Sequence, residues 1–251
     1  MTVTLGPGLV IACVLLTALG MAATRLAGIP LTKDQGVAAA RAVAQLAAVA
    51  LVITAAVQTV WGGFAFLAFM FVVAVWTTTG RVKVRHCWPW TSLALLAGLV
   101  PVLLVVFLSG AAPLNGVTAV ALGGIVTGNM MTAHTLAGRR VFDELRDNQG
   151  QYEAALALGF ERPAAIGLVG ERVLPEALIP NLDQTRTVGL VTLPGAFIGV
   201  LLGGGSALQA GAAQLLVLLG VMGGQACTVV AFFELVRRGL IVPRSLTTRL
   251  H

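Results

Sequence analysis

Apolar residues occur along this chain in long, nearly unbroken blocks, separated by short polar or glycine-rich joints. A helix needs about 20 mostly apolar residues to cross the hydrocarbon core of a bilayer. Seven stretches meet or approach that length: residues 3–24, 36–58, 61–79, 91–108, 116–136, 188–202 and 211–235. Three of them are marginal. The second carries Arg41 and Gln45 near its start, and the third follows almost without a joint. The sixth is short and holds Pro194 among Gly189, Gly195 and Gly199, a pattern that predicts a broken or kinked helix. The first 24 residues contain no Lys or Arg, so the basic start of a removable signal peptide is missing and the first block reads as a permanent span.

Between residues 137 and 187 the pattern changes from apolar blocks to alternating charged and apolar positions. Arg140 and Glu144, like Arg172 and Glu176, are four apart, the spacing of ion pairs within one helix. Pro163 suits the first turn of a helix. The segment therefore reads as two or three amphipathic helices on one side of the membrane. It is too apolar for a disordered linker.

Charge then fixes the orientation. The chain has 16 Lys and Arg against 10 Asp and Glu, a net +6. The first, third and fifth connections and the tail hold the basic residues, whereas the second, fourth and sixth connections hold no charge. With seven crossings, all 16 basic residues lie at or within a turn or two of one face. Lys and Arg concentrate in cytoplasmic loops, so the N-terminus is expected outside and the C-terminus in the cytoplasm, across a plasma (inner) membrane. Apolar residues make up 57% and charged residues 10%, which excludes a water-soluble domain and leaves too sparse a basic surface for nucleic-acid binding. The fold class is an all-α polytopic membrane protein, a single permease domain over residues 1–251 with one long cytoplasmic helical segment.

Enzyme signatures are missing. There is no Gly-Lys-Ser/Thr phosphate loop, no HExxH and no pair of carboxylates within a span. Cys13, Cys87 and Cys227 are too scattered for a disulfide framework or a zinc site. The spans also lack the midmembrane carboxylates and the repeated halves typical of an ion-gradient-driven secondary transporter, which stays the less favoured alternative.

The informative motif lies in the charged segment: Glu153-Ala154-Ala155-Leu156-Ala157-Leu158-Gly159. Small alanines allow close approach to a partner, Gly159 allows the chain to reverse, and Glu153 offers a polar contact. This EAAxxxG run resembles the first half of the signature of ATP-binding-cassette permeases, whose coupling helix docks on an ATPase. The downstream Ile-x-Leu-Pro of that signature is not at its usual spacing; Leu174-Pro175 and Ile179-Pro180 come later. Further on, Pro180-Asn181-Leu182-Asp183-Gln184-Thr185-Arg186-Thr187-Val188-Gly189-Leu190-Val191-Thr192-Leu193-Pro194-Gly195 follows Gly128-Asn129-Met130-Met131. With Arg41 and Gln45-Leu46, these runs resemble the FetB/YbbM family of bacterial iron-export permeases and related plant aluminium-tolerance permeases, over about residues 36–240. The family pattern often continues Leu-Pro-Gly with Met-Met, where this chain has Ala196-Phe197. The resemblance implies a permease homodimer working with a separate ATPase subunit and binding no cofactor of its own: ATP and Mg would sit on the partner, and the cargo would be a metal, iron, with an organic anion or sugar nucleotide as the alternative.

Several residues are candidates for the pathway or its gating. Met130 and His134 are four apart on one helix face; thioether and imidazole suit a transition metal, and equally both suit interior packing. Asn129 needs a hydrogen-bond partner or a polar cavity within its span. Arg41, with Gln45, either snorkels to the interface or pairs with Asp183 or Glu153. Asp183 and Arg186 are three apart and are expected to stabilise the start of the sixth span. Pro194 and Gly195 mark its break.

Overall fold

The structure, a computed structural model, describes residues 6–247, so residues 3–5 of the first expected span and Arg249 of the basic tail lie outside the described residues. The chain is all-helical, and six of its helices are long and apolar enough to cross a membrane. It divides into two compact units, Met1–Ala56 and Val57–His251.

The first unit is a hairpin of α1 (Pro7–Leu26) and α2 (Thr32–Ala56). Proline occupies the first turn of α1, where its missing N–H costs nothing. The Thr24 hydroxyl donates to Gln35 Oε1 at 3.2 Å, and Met21 lies beside Gly36. Arg41 and Gln45 lie on α2, both exposed within this unit, and Arg41 forms no ion pair within it.

The second unit is built on α3 (Val60–Arg81), α4 (Trp88–Leu108), α5 (Gly116–Asp147) and a last long helix, α10 (Ala207–Arg237). Between α5 and α10 come four short helices: α6 (Gln149–Ala157), α7 (Arg162–Gly170), α8 (Ile179–Thr187) and α9 (Gly195–Leu202). A four-residue helix, α11 (Arg244–Thr247), follows α10. The starts of α3, α5 and α10 are capped by Thr59, Asn115 and Ser206, which accept backbone N–H bonds from Gly62, Thr118 and Gln209. Their last turns carry Arg81, Arg146 and Arg237, so the same residues that mark the basic face also oppose the negative ends of the helix dipoles.

Glycines set the helix spacing. A Cβ at Gly63 would lie 2.5 Å from Gly116 Cα, and one at Gly98 would lie 2.4 Å from the Gly224 carbonyl and 2.7 Å from Met130 Sδ. Backbone therefore meets backbone where α3 crosses α5 and where α4 crosses α10.

The relative directions of these helices decide the topology. Gly63 meets Gly116 and Val82 meets Gly138, so α3 and α5 run parallel. Met130 meets Gly224 and His134 meets Phe232, so α5 and α10 are parallel as well. The chain leaves α5 at the charged end yet begins α10 at the uncharged end, so the intervening segment must traverse the depth of the unit. It does so with the broken helix that the proline and glycines over residues 188–202 predict. The crossing is made by α8, a non-helical stretch over residues 188–194, and α9. Two features stop a helix there: Gly189 adopts φ +81°, and Pro194 has no N–H and keeps the residue before it out of helical geometry. Val188 and Thr192 form an isolated bridge across the turn. Six helices long and apolar enough to cross and one broken stretch thus correspond to the seven expected spans.

The charged segment is an ordered layer with its own core. Val141, Phe142, Leu145, Tyr152, Ala155, Ile166 and Val169 pack with Phe232, Val236, Ile241 and Leu246. The ion pairs differ from those the spacing suggests. Arg140 pairs with Glu176 at 2.8 Å, and Arg172 pairs with Glu144. Each bond thus links α5 to the 3₁₀ segment Glu171–Ala177, where spacing alone suggested bonds within single helices. The cause is that residues 171–177 fold back against the end of α5, which brings both Arg–Glu sets within cross-helix reach.

Candidate functional site

Two places in the second unit carry chemistry. One is the projecting turn after α6; the other is the break between α8 and α9.

At the turn, α6 ends in a left-handed cap. Gly159 has φ +87°, the Gly159 N–H donates to Leu156 O at 2.9 Å and the Phe160 N–H to Ala155 O at 3.1 Å, the paired bonds of a Schellman motif. Tyr152 and Ala155 face the core of the charged layer and hold α6 onto it. Ala155, one of the four residues expected to meet a partner, is therefore an anchor. Glu153, Ala154 and Gly159 are exposed, with Glu153 accepting from Gln149 at 2.8 Å. Around them Leu158 and Phe160 are 79% and 48% exposed, an apolar tip within a charged layer. The tip has a stiff base. Arg237, at the end of α10, donates to the Pro163 carbonyl at 3.2 Å, and Arg162 bonds Tyr152. Burial pushes the Tyr152 phenol above its ordinary value, against the opposing pull of Arg162.

At the break, residues 194–196 line a cavity of about 320 Å³ together with Ile125 and Asn129 of α5, Asn181 and Gln184 of α8, and Gln214 and Leu218 of α10. A second, more apolar cavity of about 290 Å³ adjoins it and shares Pro194, Gln214 and Leu218. The first is lined by four carboxamides. Asn181 and Gln214 are only 7% and 5% exposed, and Asn181 Nδ2 and Gln214 Oε1 find no partner among the described residues. Asn129 Nδ2 donates to Ile125 O at 2.8 Å, and the Asn129 carbonyl accepts from Gln225 Nε2 at 3.2 Å.

The expected pathway residues thus separate. Asn129, Pro194 and Gly195 come together at the cavity. Asp183 and Arg186 pair with each other at 3.3 Å on the exposed side of α8. Met130 is fully buried, its sulfur filling the notch left by Gly98 and Gly224. His134 is also fully buried, edge-on to Phe232 with ring centroids 4.5 Å apart. Among the described residues, no three His, Cys, Asp or Glu side chains gather where they could hold a metal ion. Asn181, Gln184, Gln214 and Gln225 were not singled out from sequence, although a signal was available. Gln214 and Gln225 are eleven apart, three helical turns, on one face of an otherwise apolar helix, and Asn181 and Gln184 are three apart.

Comparison with known proteins finds relatives that are described as membrane proteins or permeases. The chain is 31% identical over 62% of its length to "Protein ALUMINUM SENSITIVE 3" of Arabidopsis thaliana, covering 58% of that protein. It is 30% identical over 74% of its length to "UPF0014 membrane protein STAR2" of Oryza sativa subsp. japonica, covering 66% of it. It is 27% identical over 74% of its length to the "Probable iron export permease protein FetB" of Escherichia coli (strain K12), covering 73% of that protein. The chain thus spans less than two thirds of the length of the two plant relatives. No solved structure matches it. Residues 8–241 match the profile of a single family, described as "Uncharacterised protein family (UPF0014)". Extent of match, apolar helices and membrane-protein relatives lead to one conclusion: the chain is a multi-pass membrane protein and belongs to the UPF0014 family.

Proposed function

We propose that the chain is the permease subunit of an ATP-binding-cassette exporter, acting as a homodimer with two copies of a separate ATPase in the plasma membrane. Its N-terminus would lie outside and its C-terminus in the cytoplasm. The observation that carries this reading is the apolar tip at Leu158–Gly159–Phe160, held by a left-handed glycine on a packed base that includes the ends of α5 and α10. A tip on so stiff a base can transmit a push. Closure of an ATPase dimer around ATP and Mg would move α6, and Tyr152, Ala155 and the Arg237–Pro163 bond would pass that movement to α10 and α5. These two helices line the carboxamide cavity, so their movement would change which side the cavity opens to. The chain would do no phosphoryl chemistry itself.

Metal efflux, with iron as the cargo, is the reading supported by the name of the bacterial relative. The cavity at the break is the proposed path, with Asn129, Pro194 and Gly195 at its wall. The test is to co-express the full chain with a candidate P-loop ATPase and measure ATP hydrolysis with and without the permease. A stable complex with permease-dependent hydrolysis supports the proposal. An ATPase that neither binds the chain nor changes its rate overturns it.

A further inference from the structure

We infer that the cavity between α8 and α9 binds the carboxylate of a small hydroxylated organic acid. This deepens the exporter reading by naming a cargo class, and it rests on that reading for the cavity's place in the transport path.

The donors come first. The N–H groups of Gly195, Ala196 and Phe197, the first three of α9, have no acceptor among the described residues, and no side chain caps this helix. An uncapped helix start carries a partial positive charge and free N–H groups, which suit an anionic group. At discontinuous membrane helices such half-helix ends face anionic cargo groups. Independently, Asn181 Nδ2, more than nine-tenths buried on the same cavity, is a donor without a partner. An orphaned buried donor calls for an acceptor in the space it borders.

The other groups restrict the class. Gln214, also on this cavity, has an unpartnered acceptor in Oε1, which a ligand hydroxyl would satisfy. No Lys, Arg, His, Asp, Glu or Cys is among the residues lining the cavity. A bare divalent metal would find none of its preferred carboxylate, imidazole or thiolate ligands there. A phosphate dianion would find only a half-charge at α9 to oppose it. A single carboxylate beside hydroxyls matches both the donors and the acceptor, and about 320 Å³ suits a small molecule. A metal would cross here as the complex of such an acid.

The experiment is calorimetric titration of the purified full-length chain in detergent with four probes: gluconate, the neutral polyol glucitol, ferrous ion alone, and iron with gluconate. Saturable binding of gluconate, with glucitol and ferrous ion silent, is the expected result. The fourth probe separates the free acid from its complex as the cargo, and binding of either one, through the carboxylate, supports the site. Asn181→Asp places a like charge beside the carboxylate and is expected to weaken gluconate at least about tenfold, with an unchanged melting temperature showing that it folds. Asn181→Leu, which only removes the donor, is the second variant. Equal binding of glucitol, binding of ferrous ion without gluconate, or unaltered binding by both variants overturns the inference. Gluconate binding without any effect on a partner ATPase would overturn the exporter reading and leave the site standing. ATPase stimulation without gluconate binding would do the reverse.

Discussion

Gly98 is the most sensitive point of the helix packing, and Gly98→Ala measures how closely α4 and α10 must approach. The added methyl would lie 2.1 Å from Thr228 Oγ1, 2.4 Å from the Gly224 carbonyl and 2.7 Å from Met130 Sδ. A hydroxyl or thioether can rotate aside, but a helix carbonyl cannot, so α4 has to move away from α10. Overpacking of this kind costs about 1–3 kcal/mol, and a backbone obstacle places the cost in the upper half of that range. At about 2–4 °C per kcal/mol for a chain of this size, the melting temperature should fall by about 4–12 °C. Gly223→Ala is the matched control. It sits one residue along α10 from the contact, has no atom within 4 Å of a new Cβ, and gains the helix preference of alanine, about 0.5–1 kcal/mol. Thermal unfolding of the three purified proteins in one detergent, followed by tryptophan fluorescence, decides the matter. If Gly98→Ala melts with the parent protein, or Gly223→Ala falls as far, the glycine-mediated crossing is refuted.

Gly159→Val should leave the core intact, since no atom lies within 4 Å of a new Cβ, yet it should strain the φ +87° cap by about 1–2 kcal/mol; the expected result in a reconstituted system is hydrolysis without transport, and full coupling would refute the docking role of the turn. Tyr152 is the only tyrosine of the chain, so phenolate absorbance reports it alone, and its midpoint should lie above the ordinary 10.0. Because its folded value is raised, the associated stability is present below the unfolded value and lost as pH rises through the folded one; a midpoint at or below the ordinary value would contradict the burial of Tyr152. Arg172→Ala and Glu144→Ala should be coupled in a double-mutant cycle by about 0.5–1 kcal/mol, discounted because Arg172 is half exposed, whereas Arg172→Ala with Glu176→Ala should show no direct coupling. Coupling of the second pair instead would restore the intrahelical arrangement.

Much of this architecture is written in the block pattern. Apolar run length gives the spans, and uncharged joints alternate with basic ones because each crossing reverses the side, so the number of crossings is legible even where one is not a helix. Pro194 and Gly189 announce the break. What spacing cannot convey is tertiary direction. Arg140 and Glu144 are ideally placed for one helical turn, yet a segment about 30 residues later offers better geometry to both. The choice between metal binding and packing at Met130 and His134 meets the same limit: a shared helix face says nothing about whether it borders a cavity or, as found, two glycines and a phenylalanine ring. The carboxamide cavity was partly legible, since amides within apolar helices need partners, but its four members come from three separate helices and only the fold assembles them.

The proposed exporter converts ATP hydrolysis on a separate subunit into movement of cargo through the second unit. Its most direct test is transport in proteoliposomes holding the full chain and a partner ATPase, with iron–gluconate and free gluconate offered on the ATPase-accessible side. The account predicts ATP-dependent movement that vanishes without either protein and in Gly159→Val, while that variant still hydrolyses ATP. Movement that proceeds without the ATPase, driven by an ion gradient alone, would contradict it.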